Sequence, residues 1–564
     1  MHCDVAIIGG GPAGATVATL LKKYNPSLNI CVFEADKFPR DHVGESQLPA
    51  VTKILDEMGA WDKIEAANFP IKIGASYRWG PIDDEEPWNF YFIPGGKFVD
   101  EPRPGKYQGQ RARTTFQVDR AIYDKILLDH SLEMGCSVFE ETKVAKVVRD
   151  GDRVDHLVVR AKDPTLLNGQ EEEVVTAQYY VDASGTSGVI RETMGVSAQY
   201  PTALRNIAVW DYWQNAEWSE KIGVGGTVVQ VRSFGWGWLW FIPLSPTRTS
   251  IGLITSAEYY KASGKTTKQL YDEAIAGESL ISRLVANAEC ENILKATKDW
   301  SFISDRLVGE NWFLAGDVCG FADPILAAGM SLAHVGARRV AYSILELMRG
   351  EHDPAWVKDE FDRIHRKHIG NHIRFADYWY SANGRFTDLM DYCTLIAKDS
   401  GLTLSPDEAF LWLGTGGFSE ELSGVPFAGT YRVGAIKAIT EKFSAQAATW
   451  AFKDNNVFEL DLEGAVESVV ALYEDGKLYR LPCYIKGDKT LPIHLFYKLI
   501  FEGLKKEKEI LALAERVAYL ARLEGMTIDT ALRQSTLEAL EVMVVEGWVK
   551  ASYDPSVPML TIPG

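Results

Sequence analysis

The chain has 564 residues, 46% hydrophobic and 24% charged, with 16 tryptophans, which is globular composition in a chain too long for one core. A formal net charge of −18 opposes nucleic acid, polyphosphate and anionic membrane, so a small anion would need a local positive site. The seven cysteines form no CxxC pair and no apolar run reaches membrane-span length; free thiols in a cytoplasmic protein, with no structural zinc, are expected.

The first readable element is DVAIIGGGPAGATVATLLKKY, residues 4–24. The β-branched run Val5–Ile8 predicts a parallel strand buried on both faces. Gly9-Gly10-Gly11-Pro12-Ala13-Gly14 follows, and then a helix. Gly9 permits the tight turn and Gly11 lets the backbone approach a pyrophosphate. Gly14 lets the helix pack close, and the helix N-terminus faces the phosphates. A second strand ends at Glu34, 20 residues after Gly14, the spacing of an acid that holds ribose hydroxyls. Strand, helix, strand and acid in register predict a Rossmann-like dinucleotide site.

The loop FPRDHVGESQLP (38–49) comes next. Running back along the cofactor, it would let Glu45 and Ser46 hydrogen-bond the nucleotide. Arg40 would meet either a phosphate or Glu45, and for Arg40 and His42 solvent exposure is an equal reading. In FPIKIGASYRWG (69–80) Lys72 stands on a strand; alone, such a lysine reads as an ion-paired surface residue. FQVDRAIYDKILLDHSLEMGCSV (116–138) opens a helix at Arg120, and YYVDASGTSGVIRE (179–192) gives another strand and turn. In GWGWLWFIPL (235–244) Trp238 and Trp240 lie two apart and share one strand face; alone they would be an aromatic core pair. NWFLAGDVCGFADPILAAGMSLAHVGARRVAYSI (311–344) gives a strand, Gly316-Asp317, a glycine-bearing loop and a helix.

After residue 345 the readable chemistry stops. His365, His368 and His372 fall on one helix face, which reads as partly solvated and not as a metal site. Residues 491–525 read as amphipathic helix. Residues 527–563 read as a helix and then a β-hairpin turning near Asp554-Pro555, the order of a winged helix. The acidic charge favours a packing or partner-docking module over DNA binding.

The strand, Gly-Asp and helix at 311–344, with the 116–138 and 179–192 stretches, resemble FAD enzymes of the aromatic-hydroxylase fold. That resemblance implies FAD, with Asp317 on the ribityl chain, Arg120 near the flavin and Gly329 at the helix start facing the pyrimidine. No second GxGxxG follows a strand, so reduced flavin is expected from a separate reductase. PRDHVGESQLP, the K-x-G-A…W-G segment and Trp238-x-Trp240-x-Ile242-Pro243 together resemble flavin-dependent halogenases. The nearest branch acts on non-tryptophan substrates, the chloramphenicol-pathway and chondrochloren types. The resemblance covers residues 1–345.

It implies an α/β fold. Residues 1–345 form an FAD-binding domain with interleaved substrate-sheet segments at about 65–115 and 195–305, and residues 346–564 a mainly helical module. It implies FADH2- and O2-dependent halogenation through hypohalous acid relayed by Lys72, as hydrogen-bond donor or haloamine. Trp238 and Trp240 would wall the substrate off the flavin. Backbone N–H groups of Ala328 and Gly329 would hold the halide, expected to be chloride. The substrate would be an electron-rich aromatic or activated acyl group, free or on a carrier protein. The sequence departs from the pattern in one loop. Ala327 lacks the usual hydroxyl, and Leu326 replaces the glutamate of tryptophan halogenases, which argues against free tryptophan. A monooxygenase or dehydrogenase on the same scaffold that has lost halide binding stays open, as does a silent flavin-binding partner.

Overall fold

The computed structural model describes all residues except 81–85, 94–97, 100, 168, 222–224, 299–300, 400–449, 488 and 561–564. Two compact units divide between Leu402 and Thr403.

The first unit holds two large sheets. In one, β1 (His2–Ile8) runs parallel to β2 (Ile30–Phe33) on one side and β9 (Glu172–Asp182) on the other. β6 (Ser137–Phe139) extends the sheet past β2, and β18 (Trp312–Leu314) pairs with β9, both parallel. β7 (Thr142–Asp150) and β8 (Arg153–Ala161) add an antiparallel arm to β9. Val5, Ala6, Ile7 and the whole of β2 are buried, as central parallel strands covered on both faces must be. Pro12 opens the first helix, α1 (Pro12–Tyr24), where its missing N–H costs nothing. α1 packs against α2 (Arg120–Glu133) and α3 (Ala328–Arg349).

The second sheet runs β15 (Glu289–Cys290), β11 (Asn206–Gln214), β14 (Arg248–Ser256), β13 (Gly237–Pro243), β12 (Gly226–Phe234), β3 (Ile71–Arg78), β4 (Trp88–Tyr91). β16 (Lys295–Lys298) also pairs with β11, and β5 (Thr115–Phe116) with β3. All pairs are antiparallel except β3 with β12. β10 (Ala198–Gln199), β17 (Phe302–Ser304) and β19 (Gly320–Phe321) form a small third sheet. The chain thus leaves the first sheet after β2 and again after β9 to build the second.

The break expected after residue 345 falls inside α3. The next helix, α4 (Pro354–Ser381), packs on α3 and belongs to the same unit. This overturns the reading of His365, His368 and His372 as partly solvated: all three are buried. The contact is steric, because a Cβ on Gly336 of α3 would lie 2.4 Å from the His365 ring. Arg339 Nη1 sits 3.1 Å from His365 Nδ1.

The described part of the second unit contains helices Leu495–Leu504, Ile510–Leu523 and Thr530–Val545 and a sheet of Val466–Glu474, Lys477–Lys486 and Lys489–Pro492. The C-terminal hairpin does not form. Strand Val549–Ser552 pairs instead with Val457–Leu460, some 90 residues earlier, and no strand follows Ser552 among the described residues. Asn456 takes the hydrogen bonds of the Asp554 backbone. All seven cysteines are free thiols. Among the described residues no helix is long and apolar enough to cross a membrane.

Candidate active site

The glycines of the first turn are required by contact as well as by conformation. A Cβ on Gly9 would lie 2.4 Å from Ala183 O, and one on Gly14 1.9 Å from Gly9 O. Among the described residues only Arg40 Nη2 comes near a Cβ placed on Gly11, at 3.5 Å, which leaves the backbone there open to a pyrophosphate. Glu34 is fixed at the end of β2: Gly10 N–H donates to Oε2 at 2.7 Å and Asp36 N–H to Oε1 at 2.9 Å. A Cβ on Gly316 would come 2.8 Å from the Ala13 Cβ. Its absence brings the Asp317 turn against the start of α1. Burial pushes the Asp317 carboxyl up to about 6, with the Arg120 charge opposing.

Arg120 clamps Asp124 with two nitrogens at 2.7 and 2.9 Å. Its third nitrogen donates to the carbonyls of Val43 and Gly44 at 2.9 and 3.1 Å, tying the 38–49 loop to α2. Arg40 lies 3.8 Å from both Asp36 and Asp124, so its acid partners are these and not Glu45. His42 is exposed, and the nearby Arg120 charge lowers its imidazole pKa. Glu45 turns the other way. Its buried carboxyl lies near Ser250 and Tyr212 on the second sheet, and burial pushes it up to about 7.

Ser46 keeps its place. It bridges Gln117 through the backbone. The Ser46 hydroxyl and both ends of the Gln117 amide are buried without a partner among the described residues. Buried polar groups are seldom left so. Two neighbouring ones beside the Arg120 helix start fit a polar cofactor edge, as does the open face above Gly11. Gln117 was not singled out in the sequence, although it lies inside the FQVDR stretch.

Lys72 is 2% exposed, and its Nζ donates to Gln47 O at 2.8 Å. The register with β12 shifts between Thr227 and Val228, opposite Lys72 and Gly74, and such irregularities re-aim side chains. The glycine of the K-x-G-A segment has a contact reason: a Cβ on Gly74 would lie 2.0 Å from Phe90 O. The Lys72 ammonium meets Phe92 at 5.6 Å, and burial alone lowers its pKa to about 7. The ion-paired surface lysine is not what forms.

Trp238 and Trp240 are both buried, with ring centroids 6.2 Å apart. Trp240 Nε1 donates to Ser250 Oγ at 3.1 Å and Trp238 Nε1 to the Tyr380 hydroxyl at 2.7 Å. Trp79 joins Trp238, Trp379, Tyr380 and Phe386 in edge and tilted contacts. The sequence reading placed Trp379, Tyr380 and Phe386 outside the catalytic domain. After Asp323 a short turn, Pro324–Leu326, leads to Ala327 at φ 56°, and α3 begins at Ala328. A left-handed alanine costs about 1–2 kcal/mol, and the first N–H groups of a helix lack intrahelical partners.

A phosphate-ready βαβ turn with orphaned polar groups beside it is the frame of a dinucleotide-binding protein, and a buried amine stands on a separate sheet. Residues 2–372 match the FAD binding domain family. A tryptophan 2-halogenase of Chondromyces crocatus is 32% identical over 384 residues, 68% of each chain. A 1H-pyrrole-2-carbonyl-(peptidyl-carrier protein) chlorinase of Pseudomonas fluorescens is 30% identical over 392 residues, 68% of this chain and 85% of that one. The structure of the myxobacterial chondrochloren halogenase CndH superposes with a TM-score of 0.60 at 25% identity, over 84% of this chain and 99% of the other. That of CmlS, a flavin-dependent halogenase, shares the fold with a TM-score of 0.73 at 23% identity, over 100% and 98% of the two chains. The chain belongs to the flavin-dependent halogenases.

Proposed function

We propose that the chain halogenates an electron-rich aromatic ring or activated acyl group through Lys72, and the burial of that amine carries the proposal. Reduced FAD and O2 supply the two-electron oxidant that turns halide into hypohalous acid. Gly9, Gly11, Pro12, Ala13, Gly14 and Glu34 would hold the nucleotide half of FAD. Ser46, Gln117, Arg120 and Asp317 would hold the flavin half. The N–H groups of Ala328 and Gly329 would hold the halide, chloride in the first instance, at the α3 N-terminus. The neutral Lys72 amine takes the halogen from hypohalous acid and releases water. The haloamine gives the halogen to the ring carbon, the ring loses a proton, and the amine is restored. A buried lysine suits this because desolvation favours its nucleophilic form. Trp238 and Trp240 would keep the substrate away from the flavin.

The two relatives named above are called after tryptophan and after a carrier-bound pyrrole acyl group. Their names support an aromatic substrate and a carrier-borne acyl one. Reduced flavin would come from a separate reductase. The missing hydroxyl at Ala327 favours the second reading, an oxygenase or dehydrogenase without halide.

The test supplies FADH2, O2 and bromide with a panel of phenols, pyrroles and indoles, scored by the bromine isotope doublet. Brominated product is expected, and Lys72→Ala should lose it more than about 100-fold while binding FAD normally, the scale of a lost nucleophile. Hydroxylated products alone would establish the second reading. Bromination by Lys72→Ala would remove the amine from the reaction.

A further inference from the structure

We infer that Tyr380 is a positioning residue for the halide, acting through the carboxylate of Asp323. The inference rests on the halide reading above. Asp323 opens the turn that delivers Ala328 and Gly329: the Ile325 N–H donates to its Oδ1 at 3.0 Å, and the turn closes with Ala327 N–H on Pro324 O at 2.8 Å. A buried carboxylate a few residues from an anion site repels the anion unless donors spread its charge.

Among the described residues, Asn206 and Tyr380 are such donors. Asn206 Nδ2 donates to Oδ2 at 3.0 Å, and the Tyr380 hydroxyl lies 3.3 Å from both carboxylate oxygens. The same hydroxyl accepts from Trp238 Nε1 at 2.7 Å and from Asn206 Nδ2 at 3.2 Å. A phenolic hydroxyl has one proton to give. With its acceptor side engaged by Trp238 and Asn206, that proton is directed at Asp323. Ring contacts with Trp79 and Phe386 at 5.8 and 5.9 Å hold the phenol in place. Tyr380, Asp323, Asn206 and Trp238 are all buried, so solvent does not substitute for any of these bonds. Helix α4 thereby links the indole barrier to the halide turn.

The test uses the full chain loaded with oxidised FAD and titrates bromide against the flavin absorbance, with the bromide KM for turnover beside it. Tyr380→Phe should raise both the bromide Kd and KM about tenfold, the loss of one hydrogen bond to a charge. FAD affinity should stay unchanged, and kcat at saturating bromide within about twofold. In an Asp323→Asn background, where no charge needs screening, Tyr380→Phe should cost nothing further; a packing role would cost the same in both. Asn206→Ala removes a second side-chain donor and should weaken bromide in the same way. Wild-type bromide affinity in Tyr380→Phe or Asn206→Ala, or an equal loss in both backgrounds, overturns the inference. If the wild-type chain shows no bromide saturation, the halide reading falls and takes this inference with it. If the wild type saturates and Tyr380→Phe matches it, only this inference falls.

Discussion

Lys72 can work only while its amine is neutral, and its surroundings set where that happens. Nothing but burial shifts it, to about 7. Below that value the ammonium form dominates and cannot take the halogen. Halogenation at saturating bromide should therefore rise through pH 7, by about tenfold per unit on the acid side. A pH–rate profile from about 5.5 to 8.5 tests this; a rate that falls across the same range would assign the lysine as a protonated hydrogen-bond donor instead. The residue itself was legible, because K-x-G-A with W-G is a family pattern. Its burial was not, because the carbonyl that receives it belongs to Gln47 and the register shift beside it belongs to β12. Neither is near Lys72 in sequence. Glu45 shows the same limit. Its motif named it, but its neighbours Ser250 and Tyr212 come from strands some 165 to 205 residues away.

Between elements, the fit of β13 to β14 depends on one absent side chain. Gly252 faces Trp240 in register, and a Cβ there would lie 2.1 Å from the indole Cζ2. Gly252→Ala must displace the ring and break its bond to Ser250. Overpacking of this kind costs about 1–3 kcal/mol, so the melting temperature should fall. If Trp240 is part of the barrier, halogenated product per O2 consumed should fall with it. Measuring both separates the effects: a lower melting temperature with unchanged product yield would leave Trp240 as core packing. The W-x-W-x-I-P strand was readable from its own letters, whereas the glycine that accommodates it was anonymous. The same holds for α4. Its periodicity announced a helix, but the Gly336–His365 contact that buries its histidines joins residues of two helices. The misplaced C-terminal hairpin is the counterpart in strands, since the partner of Val549–Ser552 was sought next door and lies at Val457–Leu460.

Across the whole molecule, the buried ionisable groups make stability fall on mild acidification. Burial is the largest cause lowering the imidazoles of His130 and His494 and, further, of four others: His334 to about 3, His372 to about 4, and His365 and His368 well below the ordinary value. His334 is held between Thr16 Oγ1 and the Tyr123 hydroxyl at 2.8 and 2.9 Å. His368 and His372 face each other Nε2 to Nε2 at 3.3 Å, with Arg339 beside His365. In the native state all four stay neutral, while the unfolded chain takes a proton on each as pH drops through about 6.5. Their contribution is complete above 6.5 and is lost as pH falls toward the folded values. Glu45 and Asp317 act oppositely: raised to about 7 and about 6, they bind protons in the native state first and add stability as pH falls. Each proton held by only one of the two states is worth about 1.4 kcal/mol per pH unit. Between about pH 6 and 4.5 the lowered imidazoles outweigh the raised carboxyls, and the net change is a loss of stability. Urea midpoints of the flavin-free chain, followed by tryptophan fluorescence, should drop steeply across that interval. Replacing His368 by Leu should flatten the slope by about one proton, because the buried site it leaves no longer titrates. A midpoint that holds constant from pH 7 to 5 would mean these imidazoles are already reached by water in solution, and that α4 does not pack on α3 as described.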